Sequence, residues 1–211
     1  MFITFEGGEA AGKTTQIRLL KKSLILKGFE VEDYVEPGSS ELGKRIRKLV
    51  KYGPKEINPL SEAFLFFAAR TQLINEFILP ELKSGRIVIC DRFFDSTLAY
   101  QGYGRGLDIK MLKKVNSFSI EGVLPDLTIL LDLPTEVSLQ RRNNIYGDRF
   151  ESEDTRIDFS SGDNFHEKVR KGYLELSKAD PNRWIIIDAS LQKNEIAHHI
   201  LQKVLEKLHD R

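Results

Sequence analysis

Residues 7–14, Gly7-Gly8-Glu9-Ala10-Ala11-Gly12-Lys13-Thr14, follow the pattern GxxxxGK[ST], and Thr15 continues it. The chemistry of this spacing is phosphate capture. Glycines let the loop wrap so that successive backbone N–H groups face one phosphate, Lys13 reaches a transferred phosphoryl group, and Thr14 offers a hydroxyl to Mg²⁺. The motif follows the apolar run Phe2 to Phe5 and opens a helical pattern at Lys13, the setting in which a helix N-terminus holds an anion. A nucleoside triphosphate with Mg²⁺ is the implied ligand, but the acceptor stays open, because GTPases, motor ATPases and small-molecule kinases share the loop. A GTPase needs Asp-x-x-Gly soon after a later strand. Here Asp91 is followed by Arg92-Phe93-Phe94 and Asp132 by Leu133-Pro134-Thr135, and neither fits.

A second group of residues points to an acceptor site. Asp91-Arg92-Phe93 closes the apolar run Ile87 to Cys90, at the strand edge where open α/β sheets place ligands. Asp91 can hold water or Mg²⁺, and Arg92 can clamp phosphate. In 41–51, Leu42, Ile46, Leu49 and Val50 form a packing stripe that leaves Lys44, Arg47, Lys48 and Lys51 free for anions. The four histidines, His166, His198, His199 and His209, show no metal-ligand spacing with acids or Cys90, and no structural metal is expected. Cys90 itself is read as a small buried hydrophobe.

The elements that must position these residues are legible as apolar patterns. Five short runs (2–5, 31–35, 87–90, 127–131 and 184–187) read as strands, and Ile129-Leu130-Leu131 and Ile185-Ile186-Ile187 are apolar on both pleat faces. Strands covered on both sides by helices look this way, which favours a parallel sheet. Helical periodicity occupies 13–27, stopping at Gly28, then 41–51, 59 to about 83, a stretch from Thr135 to Arg142, and the closing Ile196 to Leu208. The alternation predicts an α/β, doubly wound, three-layer fold with a five-stranded parallel sheet. The 211 residues contain no linker or repeat and are expected to form a single domain over 1–211. About 143–164 is polar, Gly-containing and rich in both charge signs, and it is read as a mobile excursion. With 32 basic and 31 acidic residues the chain has no global field for nucleic acid or an anionic membrane. No apolar stretch is long enough to span a bilayer and the start lacks a signal peptide, so a cytoplasmic protein is expected.

In their joint order, Phe5-Glu6-Gly7 through Thr15, Glu36-Pro37-Gly38, Asp91-Arg92-Phe93 with Ser96, Ala99-Tyr100-Gln101-Gly102, Pro125-Asp126-Leu127 with Leu131-Asp132, and Asp148-Arg149-Phe150-Glu151 resemble the thymidylate kinases from about residue 1 to 190. The resemblance implies ATP-dependent phosphorylation of dTMP to dTDP, with Mg²⁺ arriving on ATP, in a homodimer with a lid over about 141–164. It implies that Gly7, Gly8, Glu9, Ala10, Ala11, Gly12, Lys13, Thr14, Thr15 and Arg141 bind ATP. It implies that Glu36, Pro37, Arg47, Phe66, Arg70, Arg92, Ser96, Thr97, Tyr100 and Gln101 bind dTMP. Within that set Arg47 grips the acceptor phosphate, Phe66 stacks on thymine, Arg70 donates to a base carbonyl, and Tyr100 excludes a 2′-hydroxyl. Thr14 and Asp91 are the metal partners, and Glu9 is the acidic loop residue near the acceptor's 3′-hydroxyl.

Two departures matter. Some members of the family carry a basic residue where this chain has Ala10, which moves transition-state charge to the lid arginines Arg141, Arg142 and Arg149, with Arg156 behind them. Ser152 to Asn164 also form an apparent insertion before Phe165-His166-Glu167. A deoxynucleoside kinase and a nucleotide-binding switch protein are the alternative readings. Arg47 disfavours the first, since a phosphate clamp has no use on a neutral nucleoside, and the missing Asp-x-x-Gly disfavours the second.

Overall fold

The computed structural model describes residues 1–54, 56–146 and 165–209, with the backbone alone for 142–146. Its strands are β1 (Phe2–Gly7), β2 (Val31–Val35), β3 (Ile87–Asp91), β4 (Leu127–Asp132) and β5 (Trp184–Asp188), all parallel in the order β2-β3-β1-β4-β5. β1 is buried along its whole length, which is why its residues are apolar on both pleat faces. Each expected strand is present, and all but β2 run one or two residues further, because the polar end residues Gly7, Asp91, Asp132 and Asp188 remain in the ladder.

One side of the sheet is covered by α1 (Lys13–Leu26) and α9 (Lys193–His209), where Ile17, Leu20 and Leu24 meet Ile196, Ile200 and Val204 over β1 and β4. The other is covered by α3 (Pro59–Leu73), α6 (Ile109–Ser119) and α8 (Phe165–Ala179), whose Phe67, Leu112, Val169 and Tyr173 form a second cluster. α2 (Glu41–Tyr52) lies against α3 and starts at a cap in which Ser40 Oγ accepts from Gly43 N at 2.9 Å. The long helix expected from Pro59 to Lys83 is present as α3, a π-helical turn at Ile74–Ile78, and α4 (Leu79–Lys83). Pro80 supplies the reason for the wide turn, because it has no N–H and its ring crowds the preceding carbonyls of a regular helix.

Two findings correct the sequence reading and a third adds to it. The short α5 (Phe94–Thr97), the π-helical stretch Leu98–Gly104 and α6 fill 94–119, where no helix was expected. The helix from Thr135 does not stop at Arg142 but runs to Tyr146 as α7 (Thr135–Tyr146). The Pro125-Asp126-Leu127 motif works at the sheet's far edge, where Asp126 Oδ2 accepts from Phe2 N at 2.6 Å and pins the start of β1. Among the described residues no helix is long and apolar enough to cross a membrane.

Candidate active site

β1 sits mid-sheet, so the loop that leaves it opens into the crevice between its neighbours β3 and β4. Gly7 has φ +134°, and a Cβ on it would lie 2.5 Å from the Leu131 carbonyl oxygen, so only glycine can make this exit from the sheet. The loop ends at Gly12, the left-handed N-cap of α1. Lys13 begins the helix almost fully buried and donates from Nζ to the carbonyls of Gly7 at 3.2 Å and Gly8 at 2.8 Å. Burial first, and the Arg92 charge second, push its ammonium down to about 8, against the pull of Asp91, Glu6 and Glu9. Thr14 Oγ1 donates to Asp91 Oδ2 at 3.2 Å, bringing together the two expected metal partners. Two oxygen donors at the mouth of a phosphate loop suit a hard cation that completes its shell with phosphate oxygens and water.

Beside this loop opens a cleft of about 220 Å³. Its lining takes in Glu36, Pro37, Arg47, Phe66, Arg70, Arg92, Ser96, Thr97, Tyr100 and Gln101, every residue expected at the dTMP site, together with Glu9. Those ten arrive from four places, the end of β2, α2, one face of α3 and the segment after β3, and Glu9 from the phosphate loop. Arg47 reaches in from α2 and donates Nη1 to the Pro37 carbonyl at 3.0 Å. Phe66 lines the wall half-buried.

Arg70 lines the cleft and also holds the fold together. Its side chain is wholly buried and most of its donors are committed to the protein. Nε donates to Glu36 Oε2 at 3.1 Å, Nη2 to Glu36 Oε1 and to Thr97 Oγ1 at 2.8 Å, and Nη1 to Asn116 Oδ1 at 2.7 Å. A forked guanidinium–carboxylate pair in a dry site is strong only when every remaining donor is occupied. Here Asn116 of α6 and Thr97 occupy all but one of them, so Arg70 locks α3 to the β2 end. Its second Nη1 proton has no partner among the described residues.

Arg92 adopts φ +68°, a conformation side-chain-bearing residues rarely take, and the surroundings hold it there. Nη1 donates to Ser96 Oγ at 3.3 Å and Tyr173 OH at 3.2 Å, and Nη2 to Tyr100 OH at 3.0 Å. All three partners are hydroxyls, so the guanidinium is oriented without being neutralised by direct contact with a carboxylate.

Behind them lies Glu6, a residue that sequence reasoning gave no role. Fully buried in β1, it accepts from Phe93 N at 2.8 Å, Ser96 Oγ at 2.6 Å and Tyr173 OH at 2.8 Å. Burial, then the Asp95 carboxylate, push its pKa up to about 7, with Arg92 and the hydroxyl donors pulling the other way. A carboxylate directly continuing the run 2–5 was the signal for it.

Tyr173, Asn116 and Arg170 were also missed, and no local spacing marks them. Arg170 forms a forked pair with Asp132 at the end of β4, at 2.7 and 2.9 Å. Glu62 could have been found, since it shares the α3 face of Phe66 and Arg70. Of the lid residues, Arg141 is half-buried in α7 and does not line the acceptor cleft. Behind two hydrogen bonds from Ser190, its charge helps hold the Asp188 carboxyl low. The side chain of Arg142, and Arg149 and Arg156 entirely, lie outside the described residues.

The thymidylate kinase family model matches residues 5–200. A thymidylate kinase of Dehalococcoides mccartyi is 46% identical over 205 residues, spanning 97% of this chain and 95% of the relative. One from Kosmotoga olearia is 40% identical over 205 residues, spanning 97% and 95%. A crystal structure of thymidylate kinase from Ehrlichia chaffeensis superposes with a TM-score of 0.76 at 33% identity, covering 98% of each chain.

Proposed function

This chain belongs to the thymidylate kinase family, and we propose that it transfers the γ-phosphoryl group of ATP to dTMP, yielding dTDP and ADP for dTTP synthesis. The observation that carries the reading is the convergence of a phosphate-binding loop with a cleft that offers an aromatic wall, four arginines and buried amide and hydroxyl groups. A phosphate oxygen of dTMP attacks the γ-phosphorus, the new O–P bond forms as the bond to the β-phosphate oxygen breaks, and ADP leaves with the electron pair. The acceptor is already an anion, so no strong general base is needed, and the protein's task is positioning and positive charge.

The site residues divide that task. Arg47 and Arg92 grip the acceptor phosphate, Phe66 stacks on thymine, and the spare Nη1 proton of Arg70 meets a base carbonyl. Tyr100 closes the space a 2′-hydroxyl would need, and Glu36, Pro37, Ser96, Thr97 and Gln101 complete the wall. Glu9 stands beside the 3′-hydroxyl. The loop from Gly7 to Thr15 takes the ATP phosphates, with Lys13 exchanging its carbonyl partners for phosphate oxygens. Thr14 and Asp91 would hold Mg²⁺, which when bound neutralises charge developing between the β- and γ-phosphates. Ala10 brings no charge, so Arg141, Arg142 and Arg149 supply it from a lid over about 141–164 of a single domain spanning 1–211. A cytoplasmic homodimer is part of the same reading. Its support is the exposed apolar surface of Phe64 on α3 and Phe118 on α6, at 53% and 73% exposure, on helices that pack together.

The test is ADP production from ATP and Mg²⁺ with dTMP, dUMP, dCMP, AMP, GMP or thymidine offered separately, beside a control without acceptor. Turnover mainly on dTMP, with dUMP weaker, supports the reading. Turnover on thymidine alone overturns it in favour of a nucleoside kinase, and acceptor-independent hydrolysis overturns the acceptor site altogether. Sedimentation of the protein with and without Phe118→Glu tests the dimer.

A further inference from the structure

Positions 62, 66 and 70 follow one another at i, i+4 spacing, so Glu62 shares the cleft-facing side of α3 with Phe66 and Arg70. It is buried, and its two oxygens have different partners. Oε1 accepts from Gln101 Nε2 at 2.8 Å, and Oε2 from Arg105 Nη2 at 3.3 Å. Arg105 in turn lies over the Phe165 ring at the start of α8, 5.4 Å from its centroid.

A carboxylate paired to a guanidinium can accept hydrogen bonds and has none to give. Gln101 therefore has one amide orientation open to it, with the NH₂ toward Glu62. The amide is planar, so the carbonyl oxygen lies on the other branch. Gln101 is 4% exposed and lines the cleft, and its Oε1 accepts no hydrogen bond from the described residues. Oε1 itself keeps access to the open cleft, so a ligand's donor can reach it without the protein having to rearrange.

We infer that Glu62 is a positioning residue for base selection: it fixes the Gln101 amide so that Oε1 accepts the N3–H of a pyrimidine imide. The inference rests on reading this cleft as the dTMP site. Thymine carries that donor. Cytosine presents a lone pair at N3, so acceptor would meet acceptor, and it is rejected by a group Glu62 never lets turn round. Discrimination of this kind is strong because the mismatched base leaves buried polar groups unpaired.

The experiment compares kcat/KM for dTMP and dCMP in the wild type, Gln101→Leu, Glu62→Gln, Gln101→Glu, and the exchanged pair Glu62→Gln with Gln101→Glu. Glu62→Gln leaves the Arg105 bond possible but frees the Gln101 amide to turn. It should lower the dTMP-to-dCMP ratio ~10-fold, mainly through KM for dTMP. Gln101→Glu alone sets two carboxylates together and should cost more. The exchanged pair places an amide donor at 62 and a carboxylate acceptor at 101, and should recover most of the dTMP KM.

A general folding defect lowers both substrates alike and leaves the ratio unmoved, which counts against the inference. So does loss in both single variants without recovery in the exchanged pair. If Gln101→Leu raises the dTMP KM while Glu62→Gln changes nothing, the positioning role falls and the base pocket stands. If Gln101→Leu changes nothing, the reading of the cleft falls and takes this inference with it.

Discussion

The phosphate loop and the acceptor cleft lie side by side at the same sheet edge, yet their polar groups are held differently. In the cleft, Arg70 and Arg92 are fixed by side chains from separate elements: Arg70 by Glu36, Asn116 and Thr97, and Arg92 by Ser96, Tyr100 and Tyr173. In the loop, Lys13 rests on the carbonyls of Gly7 and Gly8, and Thr14 on Asp91. The cleft is organised before any ligand arrives, whereas the loop's donors hold partners they must exchange for phosphate. An organised site gives selectivity at little ordering cost. A site that exchanges partners accepts any triphosphate and leaves the choice of acceptor to its neighbour.

The largest effect that can break this comparison is on the loop side. Lys13→Ala should lower turnover roughly 10³-fold or more with every acceptor, because charge on the transferred phosphoryl group is worth that much in this chemistry. ADP assays across the acceptor panel check it, and near-normal turnover would end the phosphate-site reading. On the cleft side, Arg70→Ala strands the buried Glu36 carboxylate. It should cost about 3–5 kcal/mol of folding stability in urea denaturation, beyond any rise in the dTMP KM. A variant as stable as the wild type would mean that the pair does not organise the cleft.

That second outcome also shows where the sequence was informative. Arg70 was legible as a site residue through the resemblance of the Phe66 and Arg70 pair to the family, but its grip on Glu36 was not, because the two meet only through the tertiary fold. β1, β3 and β4 were legible because burial on both faces leaves apolar runs, and the loop because its spacing is rigid. At the sheet's edge strands the expected two-sided cover fails, and Ile186 of β5 is 50% exposed. α5, α6 and the turn between them were not, since Gly102, Gly104 and Gly106 interrupt the periodicity and packing against α3 and α8 decides the conformation. Glu6 and Tyr173 lie far apart in the chain and meet at the centre of the site.

Glu6 supplies a smaller effect. Its carboxyl titrates near 7 in the fold against an ordinary 4.5, so the native state binds the proton more tightly than the unfolded chain does. The stability this adds is fully present below about pH 4.5 and is lost as pH rises through about 7, a fall of ~3 kcal/mol. Glu6→Gln, uncharged throughout, should flatten this part of the stability profile in denaturation at a series of pH values. An unchanged slope would assign the titration to another group.

The smallest effect sharpens the comparison most. Tyr173→Phe keeps the ring that packs in the α8 cluster and removes only the hydroxyl between Glu6 and Arg92. Arg92 then keeps Ser96 and Tyr100 but loses the anchor supplied from α8, and its fork points less well at the acceptor phosphate. If the cleft works by prior organisation, kcat/KM for dTMP should fall about 10-fold, near the worth of one charge-assisted hydrogen bond. The loop makes no use of this hydroxyl, so KM for ATP should change little. Equal loss on both substrates would mean that Tyr173 couples loop and cleft, and that the two regions are organised as one.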